Sequence, residues 1–141
     1  MPYWRCFYHV VWATKYRQPT MTSALQPIIY AAIQQKTEQM RGRVLAINSV
    51  DDHIHVAVSL PPAIAIARWV GDAKGLATYA VNGNAPALET TFRWQDGYGV
   101  VTFGEKQFPY VEKYIANQRQ HHQQGTTDDR LETMDEDDPA G

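Results

Sequence analysis

The sequence predicts an α+β protein with a ferredoxin-like antiparallel sheet, in the order β-α-β-β-α-β-α, and with helices packed on one face. Four runs rich in β-branched and aromatic residues predict the strands. Three segments with apolar residues at three- and four-residue spacing predict the helices. Only Asp51 and Asp52 separate the second and third runs, which predicts a central hairpin.

Each element follows from a local pattern. The predicted strands cover residues 3–14, 43–50, 53–60 and 98–103. The predicted helices cover residues 23–41, the segment between the proline pair at 61–62 and the Asn-Gly-Asn sequence at 82–84, and residues 107–122. Pro27 and Pro109 fall in first helical turns, where a missing N–H does little harm.

The composition indicates one globular domain in a reducing compartment. A chain of 141 residues has no room for two full domains, and its 44% apolar content is typical of a globular protein. Apolar runs fall short of the roughly 18 residues that a membrane span needs, so we expect no membrane association. The single cysteine, Cys6, excludes an intramolecular disulfide framework, and we expect a cytoplasmic location.

Charge divides the chain into two parts. Residues 126–141 contain seven acids and one base, for a net charge of −6, whereas residues 1–125 contain 12 bases and 8 acids, for +4. We therefore predict a folded domain over residues 1–125 and an acidic, mostly disordered tail over 126–141. The mildly basic body is compatible with a polyanionic partner.

Two pairs of residues could carry chemistry. His53 and His55 on one strand project to the same face, so they can offer two adjacent positions to a divalent metal ion, although such pairs also occur by chance. Tyr114 and Gln118 are one helical turn apart on one face. Taken alone, Tyr114 is by default a packing residue whose hydroxyl reaches water, and Gln118 is by default a solvated helix residue.

A third group of residues is basic and has aromatic neighbours. Lys15 and Arg17 follow the first strand, Lys74 lies in the second helix, and Arg93 lies in an irregular segment. Such residues can neutralise phosphates while aromatic rings stack on unpaired bases. The alternative interpretation is an ordinary solvated surface.

Taken together, these segments resemble a known family. Asp52-His53-Ile54-His55-Val56 resembles the metal-binding strand of the single-tyrosine HUH transposases of small bacterial insertion sequences. Further segments resemble that family in the same order: residues 9–17, 72–75, 94–99 and 114–118. The resemblance spans roughly residues 5–122.

The resemblance implies an enzyme that cuts and rejoins single-stranded DNA at the hairpin ends of a mobile element, working near the nucleoid. It implies that Tyr114 attacks a phosphodiester, giving a 5′-phosphotyrosine and a free 3′-hydroxyl before strand transfer. It also implies that His53, His55 and Gln118 bind a divalent metal ion, and that Lys15, Arg17, Lys74 and Arg93 contact DNA. We expect Mg²⁺ or Mn²⁺, although two imidazoles also accept Zn²⁺ or Co²⁺.

Several points stay open at this level. No general base is evident; His121 and His122 are candidates, and Asp52 is either a turn residue or an orienter of the imidazoles. The family works as a homodimer that can share active sites between chains. The apolar strands at 3–14 and 98–103 favour the same assembly if both lie at sheet edges.

Two other functions compete with this one. The first is a domesticated relative that binds DNA hairpins without cutting them, which the intact motif residues argue against. The second is a metal-dependent hydrolase of small phosphoesters, which would need a second histidine motif that the sequence lacks.

Overall fold

The computed structural model describes residues 3–84 and 91–134, apart from the side chains of residues 84 and 119. The strands are β1 (Phe7–Ala13), β2 (Arg43–Ser49), β3 (His53–Ser59) and β4 (Gly99–Phe103). The helices are α1 (Gln26–Gln39), α2 (Ile66–Asn84), α3 (Phe108–Ala116), α4 (Gln118–Gln124) and α5 (Asp129–Glu132). Short 3-10 turns cover Lys15–Arg17 and Glu105–Gln107.

The four strands form one antiparallel sheet in the order β2-β3-β1-β4. This confirms the predicted ferredoxin-like class, because the central hairpin β2-β3 lies beside the first strand. The prediction that residues 3–14 form a sheet edge is wrong, since β1 is hydrogen-bonded on both sides, to β3 and to β4. The edges are β2 and β4, so only the fourth strand still supports an edge-pairing argument for a dimer.

Helices α1 and α2 cover one face of the sheet. Alternate residues of the central strands point towards these helices and are fully buried, including Trp12 of β1 and Ile54 of β3. The Trp69 indole of α2 lies 6.0 Å from the Trp12 ring and donates to Thr37 Oγ1 of α1 at 2.9 Å. The apolar core therefore lies between this sheet face and the two long helices.

Helix α3 packs on the opposite face, so the prediction that all helices share one face is wrong. Val111 and Ile115 of α3 are buried against Ala57 and Phe103 of the sheet. The central strands are buried on both faces, and the second face needs its own cover. That second face also carries both histidines of β3.

The predicted helix over 107–122 is interrupted. Residue Asn117 has φ −104° and ψ 20°, so α3 ends before it and α4 begins after it. Helix α4 ends at Gln124 and is capped by Gly125, whose φ of 68° lies in the left-handed region that favours glycine. The break places Tyr114 and Gln118 on different helices.

The acidic segment packs on the body, contrary to the predicted disorder. Residues 128–134 include α5, and Leu131 is only 2% exposed. Arg130 Nη2 donates to the Thr102 carbonyl of β4 at 2.8 Å. Thr133 lies so close to Gly99 that a Cβ at position 99 would collide with its carbonyl. The rest of the predicted tail, residues 135–141, lies outside the described residues.

Within the residues described, no helix is long and apolar enough to cross a membrane.

Candidate active site

The two histidines of β3 form the centre of the site. Because side chains alternate along a strand, His53 and His55 both point to the α3 face, while Ile54 points into the core on the other side. Both histidines are buried, and their ring centroids are 5.3 Å apart. The pair therefore presents two imidazoles together, as the spacing predicts.

Neighbouring side chains fix the orientation of both rings. His53 Nδ1 lies 2.6 Å from Asp52 Oδ1, and His55 Nδ1 lies 2.8 Å from His9 Nε2. Burial, followed by the charge of His55, lowers the pKa of His9 to about 3, so His9 is neutral. Burial also lowers the pKa of His55. Each Nδ1 therefore has a side-chain partner, and each Nε2 faces into the site.

This arrangement bears on one open question and adds one residue. Asp52, whose role the sequence left open, contacts His53 Nδ1, where a carboxylate can orient the ring. His9 was not predicted as a site residue. Its contact depends on the register that sets Val11 of β1 opposite His55, and no local sequence pattern reports that register.

Tyr114 lies on α3 beside the histidine pair. The side chain is buried, and its ring centroid is 6.0 Å from that of His55. Its hydroxyl donates to Glu132 Oε2 at 2.5 Å and accepts from the Asp128 N–H at 2.8 Å. Burial and the Glu132 hydrogen bond raise the pKa of Tyr114. The ring of His121 stacks on Tyr114 at 4.5 Å.

The neighbouring Tyr110 differs from Tyr114 in its surroundings. Its ring is 55% exposed, and its hydroxyl donates to Asp128 Oδ2 at 2.8 Å. Among the described residues, the Tyr110 ring contacts Tyr114 but no histidine, so Tyr110 offers a matched comparison for Tyr114.

Gln118 begins α4 and is completely buried. Within the part of the chain that the structure describes, neither its Oε1 nor its Nε2 has a hydrogen-bond partner. Burying an amide without a hydrogen-bond partner costs free energy of folding. The amide oxygen is also a group that can coordinate a divalent metal ion. The role of Gln118 as a metal ligand stays a prediction.

Two residues that were not predicted as ligands meet the histidine pair. His122 Nε2 of α4 lies 3.0 Å from His53 Nε2. Glu132 Oε1 of α5 lies 3.0 Å from His55 Nε2, 3.1 Å from His122 Nε2 and 3.4 Å from His53 Nε2. All four donor atoms lie within 4.8 Å of one another. This donor set of imidazoles and a carboxylate fits a divalent metal ion.

The charge state of Glu132 agrees with that chemistry. Burial opposes ionisation of this carboxyl, but hydrogen bonds from His53 and His55 outweigh it and lower the pKa of Glu132 well below its usual range. Glu132 is therefore an anion pointing at a cluster of imidazoles. Sequence reasoning missed it because one acid in an acidic segment has no distinguishing local pattern.

Three of the four predicted DNA-binding residues lie near this end of the sheet. Arg17 Nε is 3.6 Å from Asp52 Oδ2, and the Lys15 N–H donates to the Arg93 carbonyl at 3.0 Å. The Arg17 and Arg93 side chains are exposed. Lys74 instead donates its ammonium protons to the carbonyls of residues 95 and 97, at 3.0 and 2.7 Å, and so holds that loop.

Comparison with known proteins identifies related sequences. The model of the family described as "Transposase IS200 like" matches residues 2–118. The transposase of insertion sequence IS200 from Salmonella typhimurium is 27% identical over 126 residues, which cover 86% of this chain and 82% of that protein. The ISDra2 transposase of Deinococcus radiodurans is 24% identical over 115 residues, covering 79% of this chain and 82% of the relative.

Solved structures share the fold. A crystal structure from Deinococcus radiodurans R1, of a protein described as a transposase, has a TM-score of 0.67 and 24% identity, and the match covers 84% of this chain and 95% of that one. A REP-associated tyrosine transposase bound to a REP hairpin has a TM-score of 0.66 and 15% identity, with 86% and 74% covered. The α+β architecture is thus that of these proteins.

Proposed function

Because the chain belongs to the IS200-like transposase family, we propose that it cuts and rejoins single-stranded DNA through a covalent bond to Tyr114. One observation carries this proposal: a single carboxylate, that of Glu132, contacts both the Tyr114 hydroxyl and the imidazole of His55. The proposed nucleophile and one of the proposed metal-binding histidines are therefore bridged by a single side chain.

The proposed reaction is a transesterification. The Tyr114 oxygen attacks the phosphorus of a phosphodiester and loses its proton as the new P–O bond forms. The bond from phosphorus to the 3′ oxygen breaks, and that oxygen takes up a proton to become a free 3′-hydroxyl. The 5′-phosphotyrosine keeps the energy of the broken ester, so rejoining needs no nucleotide cofactor.

His53 and His55 would hold a divalent metal ion, with Gln118 as a third, neutral donor. Mg²⁺ or Mn²⁺ is the expected ion, and it supplies Lewis-acid polarisation of a phosphate oxygen. Asp52 and His9 contact the Nδ1 atoms of the two rings, and an imidazole that keeps its proton on Nδ1 would offer Nε2 to the ion. His121, stacked on Tyr114, limits the rotation of the nucleophile's ring.

The DNA partner is proposed to be the hairpin end of a mobile element. The hairpin bound by the REP-associated relative supports this choice. Exposed Arg17 and Arg93 and the neighbouring Lys15 can contact the phosphates that flank the cleavage site. Lys74 would act indirectly, through the loop that it holds. We further propose that the protein works as a homodimer close to the nucleoid.

A relative that binds hairpins without cutting them is the second candidate. Such a protein would not need a buried tyrosine next to two oriented imidazoles. The presence of both in this chain supports cleavage.

The test is the formation of a covalent adduct. The protein is incubated with labelled single-stranded DNA from its genomic flanks and Mg²⁺ or Mn²⁺, and a denaturing gel detects DNA attached to protein. We expect an adduct with the natural chain and with Tyr110→Phe, and none with Tyr114→Phe. Both substitutions remove one hydroxyl that contacts residue Asp128, so they are matched. An adduct that persists in Tyr114→Phe would contradict the proposal.

A further inference from the structure

We propose that Glu132 is itself a metal ligand, completing a set of three imidazoles and one carboxylate with His53, His55 and His122. This set would select a transition metal over Mg²⁺ and would fasten the C-terminal segment, residues 126–134, over Tyr114. The inference rests on the proposed function only in taking the histidine pair as a metal site.

The spacing of the donor atoms supports the inference. Four of the separations among these donors are 3.0, 3.0, 3.1 and 3.4 Å. A tetrahedral ion with ligands at about 2.0–2.1 Å has donor atoms roughly 3.3–3.4 Å apart. These four separations lie near the edge lengths of a tetrahedron, and the remaining two, from His55 to His53 and to His122, are at most 4.8 Å.

The chemistry of the donors favours a transition metal. Mg²⁺ prefers octahedral oxygen ligands and keeps several waters, whereas imidazoles suit Zn²⁺, Co²⁺ and similar ions. Three imidazole nitrogens and one carboxylate oxygen are therefore a poor site for Mg²⁺. The expectation of Mg²⁺ came from Gln118 as the third ligand, without His122 or Glu132.

Contacts outside the cluster hold Glu132 in place. Leu131 is buried against the body, and Arg130 donates to the carbonyl of Thr102. The backbone N–H of Asp128 donates to the Tyr114 hydroxyl. The backbone that carries the Glu132 carboxylate is therefore itself held against the body of the protein.

The same segment covers the nucleophile. The Tyr114 oxygen donates to Glu132 and accepts from Asp128, so both of these hydrogen bonds are made to the segment. A phosphodiester must displace the segment to reach that oxygen. A metal ion bound to Glu132 would strengthen the covered arrangement.

The first experiment measures the binding of Co²⁺ to the full chain by visible absorption. Glu132→Gln should weaken Co²⁺ binding by at least about tenfold and change the absorption bands, since a direct ligand matters at least as much as an outer-shell partner. Asp129→Asn is the matched control, because it removes the same charge from an exposed position of the same helix. Millimolar Mg²⁺ should not displace Co²⁺. Equal affinities and spectra for the two variants, or displacement by Mg²⁺, would overturn the inference.

A second measurement does not rely on the visible absorption of the bound ion. Trypsin cleavage after Arg130, followed by mass spectrometry, reports whether the segment is docked. Zn²⁺ should slow this cleavage in the natural chain and in Asp129→Asn, but not in Glu132→Gln. Cleavage that Zn²⁺ does not slow in any of the three proteins would show that the segment is not fastened by metal.

Neither readout uses DNA, so the two proposals can fail separately. An adduct at Tyr114 together with Co²⁺ binding that is insensitive to residue 132 would refute this inference and leave the proposed function standing. Co²⁺ binding that depends on Glu132, in a protein that never forms an adduct, would have the opposite meaning.

Discussion

The Tyr114 hydroxyl and the Glu132 carboxylate are joined by a hydrogen bond of 2.5 Å. The bond links the two ends of the site, because Tyr114 lies on a helix of the main domain and Glu132 on the short acidic helix that follows it. A segment that composition assigns to solvent thus contributes a partly buried carboxylate to the site.

We predict that Asp52→Ala weakens metal binding by about 10–100-fold, because the His53 ring loses the carboxylate that orients it. The measurement is isothermal titration with Mn²⁺. Asp51→Ala is the control, since Asp51 is an exposed acid of the same turn. Equal affinities for the two variants would show that Asp52 serves only the turn.

Gly99→Ala should release the C-terminal segment, and Glu132 with it, while leaving His53 and His55 in place. The added Cβ collides with the carbonyl of Thr133, so residues 128–134 must move away. Hydrogen exchange at the Asp128 amide, which is bonded to Tyr114, should become fast. Gly75→Ala is the control, because a Cβ there meets nothing within 4 Å. Unchanged protection in Gly99→Ala would mean that the close approach is absent in solution.

Deleting residues 126–141 should strengthen binding to single-stranded DNA and lower the melting temperature. The net charge changes from −2 to +4, and the carboxylate that covers Tyr114 is removed. The loss of stability follows from the buried Leu131. Fluorescence anisotropy at two salt concentrations and thermal unfolding measure the two effects. Unchanged values of both would mean that the segment is not docked.

Mixing Tyr114→Phe chains with His53→Ala chains tests the proposed homodimer. If each site takes its tyrosine from one chain and its histidines from the other, a mixed dimer contains one complete site, and adduct formation should return. If sites are built within one chain, the mixture stays inactive although each variant still dimerises. A protein that light scattering finds monomeric with and without DNA would contradict the dimer itself.

Much of the site follows from local rules. The period of two along a strand places His53 and His55 on one face, and the helical period predicts that Tyr114 and Gln118 share one helix face. These rules use only neighbours in sequence. They fail where a break such as the one at Asn117 interrupts the element, because a break depends on how each half packs.

The rest depends on tertiary packing. The contact between His9 and His55 requires the register of β1 against β3, which hydrophobic pattern alone does not set. The sequence does not predict that α3 covers the second face of the sheet. The apolar spacing of α3 indicates that the helix packs against the sheet, but not on which side. Docking of Leu131 joins residues far apart in sequence, and the acidic composition around it predicts the opposite behaviour.

Only residues 125–128 connect α4 to α5, which makes the encounter between Glu132 and the histidines an intramolecular one. A short tether of this kind gives the carboxylate an effective concentration in the millimolar range or above. Dilution of the protein therefore does not separate the two, and free carboxylates in the medium compete poorly. A ligand displaces the Glu132 carboxylate only if it makes several contacts with the protein at once, as a DNA strand with many phosphates can.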